Sequence, residues 1–392
     1  MSSPGKLIRN AAIYAFPIIA FILSLFAKET SQAARNALYL SLDVVIPSLF
    51  PYFVLSRLTV PFLSGFRCPR FLKKLIERFF KLPYYTIVII ILGYLSGYPT
   101  GAKLTADMLD EGLIDAQQAS RLIAVANNCS PLFVIGTIGA GLFGSIKIGF
   151  LLLIIHWLSG IIAAFLTGRF VNYTSSKQEP SEFPYRTGIS SNEKPHIISL
   201  LPSAVEDAAI LSIKVTGYIV LFAVLSELLS RLGVFAIFGS LAGMITGSLA
   251  QRNHDGFISA FLKGVLEITS GSQAISQLTN YPMNVKLSMI SLICGFAGFS
   301  VHSQIMGIMK GSGAKYRVLI AGKTLHGLIA CLLTFIVTSL SPMTLQASKV
   351  AGLSIPDFSW LRIIIIGVLI ISLLIAPYES ESRKNYRKVC KR

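Results

Sequence analysis

Long apolar runs separated by short polar segments make up most of the chain, and they predict membrane-spanning helices. A spanning helix needs about 20 predominantly apolar residues. The run 11–27 follows only Lys6 and Arg9 and has no clear cleavage site, so we interpret it as a retained helix. The other candidate spans are 84–95, 148–170, 213–229, 234–249, 287–309, 318–340 and 361–377. The pattern predicts an all-α polytopic membrane protein with about eight spanning helices.

Three further apolar segments, 37–63, 119–143 and 257–278, are interrupted by polar residues, Gly or Pro. Such segments predict broken helices or re-entrant hairpins, because unwound backbone at membrane depth is tolerated only where it lines a cavity or is buried in protein. The polar, proline-containing stretch 172–199 predicts a linker. We therefore expect two membrane halves, 1–171 and 200–377, followed by a basic tail, 378–392.

Composition adds charge to this picture. Only 14% of the residues are charged, against roughly 25% in soluble domains, and 35 Lys+Arg against 18 Asp+Glu give a net charge of +17. The apolar content excludes a disordered chain and argues against a soluble enzyme. The basic residues lie between apolar segments, which favours lipid over nucleic acid as the partner. The basic segments 67–81 and 378–392 predict the cytoplasmic side.

The two halves also suggest an internal repeat. Gly97 and Gly298 each close an apolar segment, and at the same offset of 201 residues Gly112 falls on Gly313. Many secondary transporters consist of two repeats, often inverted, whose interrupted helices meet at a site near the bilayer midplane. The repeat therefore predicts a transporter.

Two segments of the first half carry candidate chemistry. In 96–103, Pro99 lacks a backbone donor and Gly97 and Gly101 permit turns, so a helix ends there. Freed amides together with Lys103 would form an anion site; an ordinary helix stop is the alternative. In 127–131, adjacent Asn side chains precede a proline, which predicts a broken helix or a hairpin tip. Interhelical hydrogen bonds that only hold the bundle are the alternative.

Two segments of the second half are comparable. Glu267 is an acid in an apolar stretch, and it would bind a coupling cation or proton, or pair with Lys263. His302 could titrate or could be a packed hydrogen-bonding residue. The predicted substrate-binding residues of both halves are Gly97, Tyr98, Thr100, Gly101, Lys103, Asn127, Asn128, Ser130, Thr269, Ser270, Gln273, Phe299, Ser300 and His302.

Cations outnumber acids within and beside the apolar segments, which favours an anionic solute. The cations are Lys103, Arg121, Lys147, Lys214, Arg231, Lys263 and Lys323, and the acids are Glu206, Asp207, Glu227 and Glu267. Catalytic motifs such as H-E-x-x-H, G-x-S-x-G and the P-loop are absent from the sequence. The five scattered cysteines show no metal or disulfide spacing. We expect neither an enzyme nor a cofactor.

The motifs at 96–103, 127–133 and 267–271 resemble the sporulation integral membrane proteins of spore-forming Firmicutes. These carry two nucleoside-recognition ("Gate") regions and are distantly similar to concentrative nucleoside transporters, in which the substrate lies between two re-entrant hairpins. Carried over to this chain, the hairpin turns would be the segments 127–131 and 267–273.

Within that family the sequence is most similar to a stage V sporulation protein implicated in dipicolinic acid transport. The resemblance implies a carrier of dipicolinate, a small aromatic dianion, in the outer forespore membrane. A homo-oligomer is a further possible assembly. A nucleoside or nucleobase carrier, and a non-transporting assembly factor for the spore envelope, are the alternatives.

Overall fold

The computed structural model describes residues 4–60, 63, 68–170, 197–246 and 251–340, which all belong to the first of two compact units, Met1–Leu345. Within these ranges helices are joined by short turns and breaks, and there is no strand. The predicted span 361–377, most of the linker 172–199 and the basic tail 378–392 lie outside the described residues. The all-α polytopic architecture is confirmed.

The described part of the first half contains eight α-helices. They are α1 (Pro4–Leu25), α2 (Ala27–Leu40), α3 (Ile46–Thr59), α4 (Arg70–Leu75), α5 (Ile87–Ser96), α6 (Thr100–Asp110), α7 (Ala116–Ala126) and α8 (Ile146–Phe170). Stretches of π-helix, Ser41–Val45, Ile76–Phe80 and Leu132–Leu142, and a short 3₁₀ turn, Tyr84–Thr86, lie between them.

The described part of the second half contains seven α-helices. They are α9 (Ile197–Arg231), α10 (Val234–Thr246), α11 (Gln251–Leu266), α12 (Ile268–Ser276), α13 (Met283–Phe296), α14 (Gly298–Ile308) and α15 (Tyr316–Leu340). Among the described residues, five helices are long and apolar enough to cross a membrane, or six if the bent pair Arg70–Phe80 and Tyr84–Ser96 counts as one span. The number eight stays a prediction.

The interrupted segments differ from one another in the structure. The segment around 37–63 is one helical run, Ala27–Thr59, long enough to span. The segment 119–143 is broken after α7, and the segment 257–278 is broken at Glu267. One predicted uninterrupted span, 287–309, is also divided, because Ala297 and Gly298 both have positive φ angles, +79° and +57°. Such angles end a right-handed helix.

The chain turns back on itself between α5 and α6 and again between α11 and α12, so each of these pairs forms a helical hairpin. Gly93 of α5 and Gly101 of α6 both pack against the carbonyl oxygen of Ala126, although eight residues of straight helix would separate them by about 12 Å. In the same way, Gly271 of α12 packs against Gly264 of α11. The tips of the two hairpins are therefore 97–99 and Glu267.

Each half then has the same order of elements: a hairpin, a helix with a break, and a long helix. In the first half these are α5–α6, α7 with the π-helical Leu132–Leu142, and α8; in the second they are α11–α12, α13–α14 and α15. The long helices both have 25 residues. His156 of α8 and His326 of α15 occupy equivalent positions, 170 residues apart.

The offset of 170 changes the alignment of the repeat. It places Gly97 on Glu267, Gly101 on Gly271 and Ser130 on Ser300. The sequence-based offset of 201 does not fit the element order, because it places the break at 127–131 inside the continuous helix α15. The two hairpin turns expected from the resemblance are also not equivalent: 267 is a hairpin tip, whereas 127–131 interrupts a helix.

Helix α15 packs against α13, α8 and α7. Glycines allow these close approaches: a Cβ atom at Gly295 would lie 2.6 Å from the Gly327 Cα, and one at Gly322 would lie 3.1 Å from the Ala124 Cβ. Non-bonded carbon atoms pack at about 3.5–4.0 Å. The crossing at Gly295 therefore tolerates no side chain, and it brings α15 against the break that follows α7.

We predict that Gly295→Ala destabilises the protein by about 1–3 kcal/mol, the usual cost of overpacking a close-packed site. Gly217→Ala in α9 is the matched control, because nothing lies within 4 Å of its Cβ position. That change should be neutral or stabilise the helix by up to about 1 kcal/mol. Thermal unfolding of the purified protein in detergent compares the two, and equal melting temperatures would contradict the predicted crossing.

Candidate functional site

The first hairpin tip packs directly on the break that follows α7. Gly97 has a φ angle of +90°, and a Cβ atom there would lie 2.7 Å from the Ser130 Cβ. The Asn127 side chain joins the two broken helices, because its Oδ1 accepts from the Ala102 amide at 2.9 Å and its Nδ2 donates to the Ile123 carbonyl at 2.7 Å. The sequence predicted free amides at the start of α6, but Ala102 already has this partner.

A buried lysine, Lys323 of α15, lies at the same break. Its side chain is completely inaccessible to solvent. The ammonium donates to the Asn127 backbone carbonyl and, over 3.3 Å, to the Asn128 Oδ1. It also lies 5.4 Å from the centroid of the Tyr98 ring, at the hairpin tip. No carboxylate among the described residues forms an ion pair with it.

This arrangement is energetically unusual. Removing an ammonium from water costs several kcal/mol even after a protein relaxes around it, and neutral oxygens return only part of that cost. Hydrophobic burial alone would favour an apolar side chain at this position. The buried charge therefore identifies Lys323 as a candidate functional residue.

Two histidines extend the polar cluster along α8 and α15. The His156 Nε2 accepts from the Cys129 amide at 3.1 Å, and the His326 Nε2 lies 2.9 Å from the His156 carbonyl oxygen. The two ring centroids are 4.4 Å apart. Because His156 Nε2 accepts a hydrogen bond, the imidazole is neutral and carries its proton on Nδ1. This Nδ1 is buried and has no hydrogen-bond partner among the described residues.

The cluster also reaches the second half of the chain through α13. The Tyr98 hydroxyl donates to the Cys294 carbonyl at 3.0 Å, and the Cys129 Sγ lies 3.7 Å from the same oxygen. A small void of about 10 Å³ lies beside these groups, and its lining includes His156, Ser291 and Cys294. A void of this size has room for about one water molecule.

We call this set the Lys323 cluster: Tyr98, Asn127, Asn128, Cys129, His156, Lys323 and His326. The structure brings Gly97, Tyr98, Thr100, Gly101, Asn127, Asn128 and Ser130 of the sequence-predicted residues to or beside it. Thr100, at the start of α6, is fully buried, and its Oγ1 has no partner among the described residues.

Lys103 has a different environment from the one predicted. Its ammonium lies 2.7 Å from the Asp107 Oδ1, one turn along α6. Arg57 of α3 lies 3.7 Å from the same oxygen and 3.0 Å from Asp207 of α9. These charges link the first hairpin to the surrounding helices, so the charge of Lys103 is already balanced.

The second hairpin tip is closed by Glu267. Its two carboxylate oxygens accept from the Thr269 and Ser270 amides at 2.9 and 2.7 Å, which caps α12. The Ser270 hydroxyl lies 3.2 Å from the Glu267 carbonyl oxygen, and Gln273 is exposed. The proposed coupling-ion residue is therefore already bonded to the backbone of its own hairpin.

The second break lies against this tip, because Gly298 packs on the Leu266 carbonyl and the Ile268 side chain. Beyond it, Phe299 is exposed and Ser300 lies 3.4 Å from the Gln304 Nε2. His302 is buried between the Phe296 carbonyl at 2.8 Å and the Tyr316 hydroxyl at 3.2 Å. Both ring nitrogens of His302 thus have protein partners.

Sequence reasoning did not single out Lys323, His156 or His326 as site residues. Lys323 was one of seven cations near apolar segments, and nothing in its own helix distinguished it from a lysine that extends to the membrane surface. The available signal was the repeat: at an offset of 170 residues, the two histidines coincide.

Comparison with known proteins gives one curated relative. The sporulation integral membrane protein YlbJ of Bacillus subtilis (strain 168) is 31% identical over 336 residues, which cover 80% of this chain and 80% of that protein. No family model matches the chain, and no solved structure matches it. The Gate regions therefore stay a prediction.

The two roles of Glu267 can be separated by substitution. Glu267→Ala should cost roughly 0.5–2 kcal/mol through loss of the cap, whereas Glu267→Asn, a favourable capping residue, should restore most of that stability. Thermal unfolding in detergent measures this. If Glu267 also carries a coupling ion, Glu267→Asn will be stable but inactive in solute uptake; if it only caps the helix, uptake will survive.

Proposed function

This chain belongs to the family of the sporulation integral membrane protein YlbJ, and from that premise we propose that it carries a small anionic solute across a membrane during sporulation. The solute that best fits is dipicolinic acid, moved from the mother cell across the outer forespore membrane. The observation that carries the proposal is the convergence of a hairpin tip and a broken helix on a buried cluster that contains a cation and no acid among the described residues.

Interrupted helices support a transport role. Unwound backbone in a membrane protein persists where it lines a solute pathway or is buried in protein, and repeated broken helices are the best indicator of a transporter site. Here the same elements occur in each half at an offset of 170 residues. In the proposal the two repeats are inverted, and they work by alternating access around a site near the midplane.

The size of the void determines what transport requires. A space of about 10 Å³ does not admit dipicolinate. Binding therefore requires one of the contacting elements to move, and the first hairpin tip is the best candidate. It contacts the break through Gly97 and Ser130, and it contacts α13 through the Tyr98 hydroxyl. The tip also contacts Lys323 through the Tyr98 ring, so its movement would release the contacts to the break, to α13 and to α15 together.

The chemistry of the cluster matches a planar aromatic dianion. The ammonium of Lys323 would face a carboxylate, and the Asn127 and Asn128 side chains offer hydrogen bonds. The Tyr98 ring, which now lies over the ammonium, could stack on the pyridine ring of the solute. Lys103, the cation first expected to bind the carboxylates, is paired with Asp107.

A nucleoside carrier is the second candidate. It is favoured by the uncharged hydrogen-bonding groups of the second hairpin, Thr269, Ser270 and the buried Ser272, whose hydroxyl has no partner among the described residues. A neutral solute, however, gives the buried lysine no counter-charge. We therefore favour an anionic solute over a nucleoside.

Uptake into proteoliposomes tests the proposal. Vesicles that contain the purified protein should accumulate labelled dipicolinate several-fold above protein-free vesicles, and picolinate, with one carboxylate, should compete less well. Uridine is the comparison for a neutral solute. Uptake of uridine without dipicolinate would favour the nucleoside carrier, and uptake of neither solute by folded protein would favour an assembly role.

A further inference from the structure

We infer that Lys323 and His156 are the two donors that bind the carboxylates of the transported anion, and that Asn127 and Asn128 hold the lysine ammonium when no anion is bound. The inference rests on the proposed function and names the residues of its site. Neither residue was among those selected from the sequence.

The repeat provides an internal comparison for Lys323. At the offset of 170 residues that aligns His156 with His326, Lys323 aligns with Leu153 of α8. Leu153 is also buried, at 5% exposure, and packs within the hydrophobic core. One copy of the repeat thus fills this position with an apolar side chain, so the architecture itself does not require a lysine there.

The partners of the Lys323 ammonium are groups that a carboxylate could replace. Both oxygens that accept from its ammonium, the Asn127 carbonyl and the Asn128 Oδ1, belong to neutral groups. A carboxylate adds the Coulomb attraction between two opposite charges to the hydrogen bond, and neutral oxygens lack this attraction. An incoming carboxylate would therefore compete well for the ammonium. The two oxygens keep the charge solvated inside the protein until then.

His156 supplies a second, independent indication of a ligand. Its side chain is 3% exposed, its Nε2 is occupied by the Cys129 amide, and its Nδ1–H has no partner among the described residues. A buried donor without a partner is destabilising, and an acceptor on a bound ligand would relieve that cost. The same imidazole lines the void beside Ser291 and Cys294. If that void expanded, a carboxylate of the anion could enter it and accept from the Nδ1–H.

The hairpin tip determines access to both donors. The Tyr98 ring lies over the Lys323 ammonium, and the Tyr98 hydroxyl is bonded to Cys294, which lines the void. Displacement of the Tyr98 ring would uncover the ammonium and would break the hydrogen bond to Cys294, a residue that lines the void together with His156. The tip therefore acts as the cover of the site.

The test compares two lysines that both donate to chain oxygens. Lys323→Met removes the proposed anion contact. Lys286→Met is the matched control, because the Lys286 ammonium of α13, which is partly buried, donates to the Ser276 and Leu278 carbonyls at the end of α12 at 3.1 and 3.0 Å. Thermal unfolding of each purified protein is measured in detergent, with and without a dipicolinate titration.

We expect Lys323→Met to be at least as stable as the wild type without anion, because replacing a buried charge by an apolar side chain of similar volume is often neutral or stabilising. Its affinity for dipicolinate should fall roughly tenfold to hundredfold, the equivalent of one charged hydrogen bond. Lys286→Met should bind dipicolinate like the wild type. Lys323→Gln, which keeps donors for Asn127 and Asn128, should show the same affinity loss and replaces the methionine variant if that fails to fold.

The outcomes distinguish failure of the inference about Lys323 from failure of the proposed function. If the wild type transports dipicolinate and folded Lys323→Met or Lys323→Gln binds it with wild-type affinity, this inference is wrong and the proposed function stands. The inference also fails if Lys323→Met and Lys323→Gln both melt below the wild type without anion and neither loses affinity for dipicolinate, since a structural role would then explain the lysine. If the wild type moves no dipicolinate, the proposed function fails whatever the variants show.

Discussion

The ammonium of Lys323, buried on neutral oxygens, is the interaction on which the centre of this protein depends. It joins helix α15 to the end of helix α7, and it lies under the ring of Tyr98 from the first hairpin. Three separate elements thus meet at one charge. Because burial of that charge is costly, the elements around it must supply oxygens, and the asparagines at the break do so.

The breaks themselves are built so that few backbone groups lose their partners. In the first half, Asn127 bonds both to the amide of Ala102 and to the carbonyl of Ile123, so one side chain serves two helix ends. In the second half, Glu267 caps α12 with both carboxylate oxygens. The two halves therefore share their architecture but differ in the charge at the break. The cation and the acid both come from the second half of the chain, but the ammonium of Lys323 lies at the break of the first half, whereas Glu267 closes the hairpin of its own half.

The sequence was sufficient for the fold class, because apolar runs of spanning length leave little choice of architecture. It also located polar breaks at 127–131 and 267, where side chains that favour turns or caps interrupt apolar segments. It predicted 287–309 as one span although Gly298 was also interpreted as closing an apolar segment, and the positive φ angles of Ala297 and Gly298 divide that span. The continuous run Ala27–Thr59 was undecided, since Pro47 and Pro51 near its middle resembled an interruption.

The site was harder to predict than the fold for a physical reason. A lysine in an apolar helix ordinarily extends to the membrane surface, and only the neighbours of α15 show that Lys323 does not. The partners of Lys103 and Glu267 are likewise visible only in three dimensions, although Asp107 and the cap sequence are close to them in the chain. The offset of 170 residues was obscured because few residues are identical at equivalent positions.

An experimental structure of the protein with dipicolinate bound would test the central claim most directly. The account predicts that a carboxylate oxygen lies within hydrogen-bond distance of the Lys323 Nζ, with the Tyr98 ring displaced from the ammonium. A bound anion elsewhere, with the Lys323 ammonium still held by Asn127 and Asn128, would contradict it.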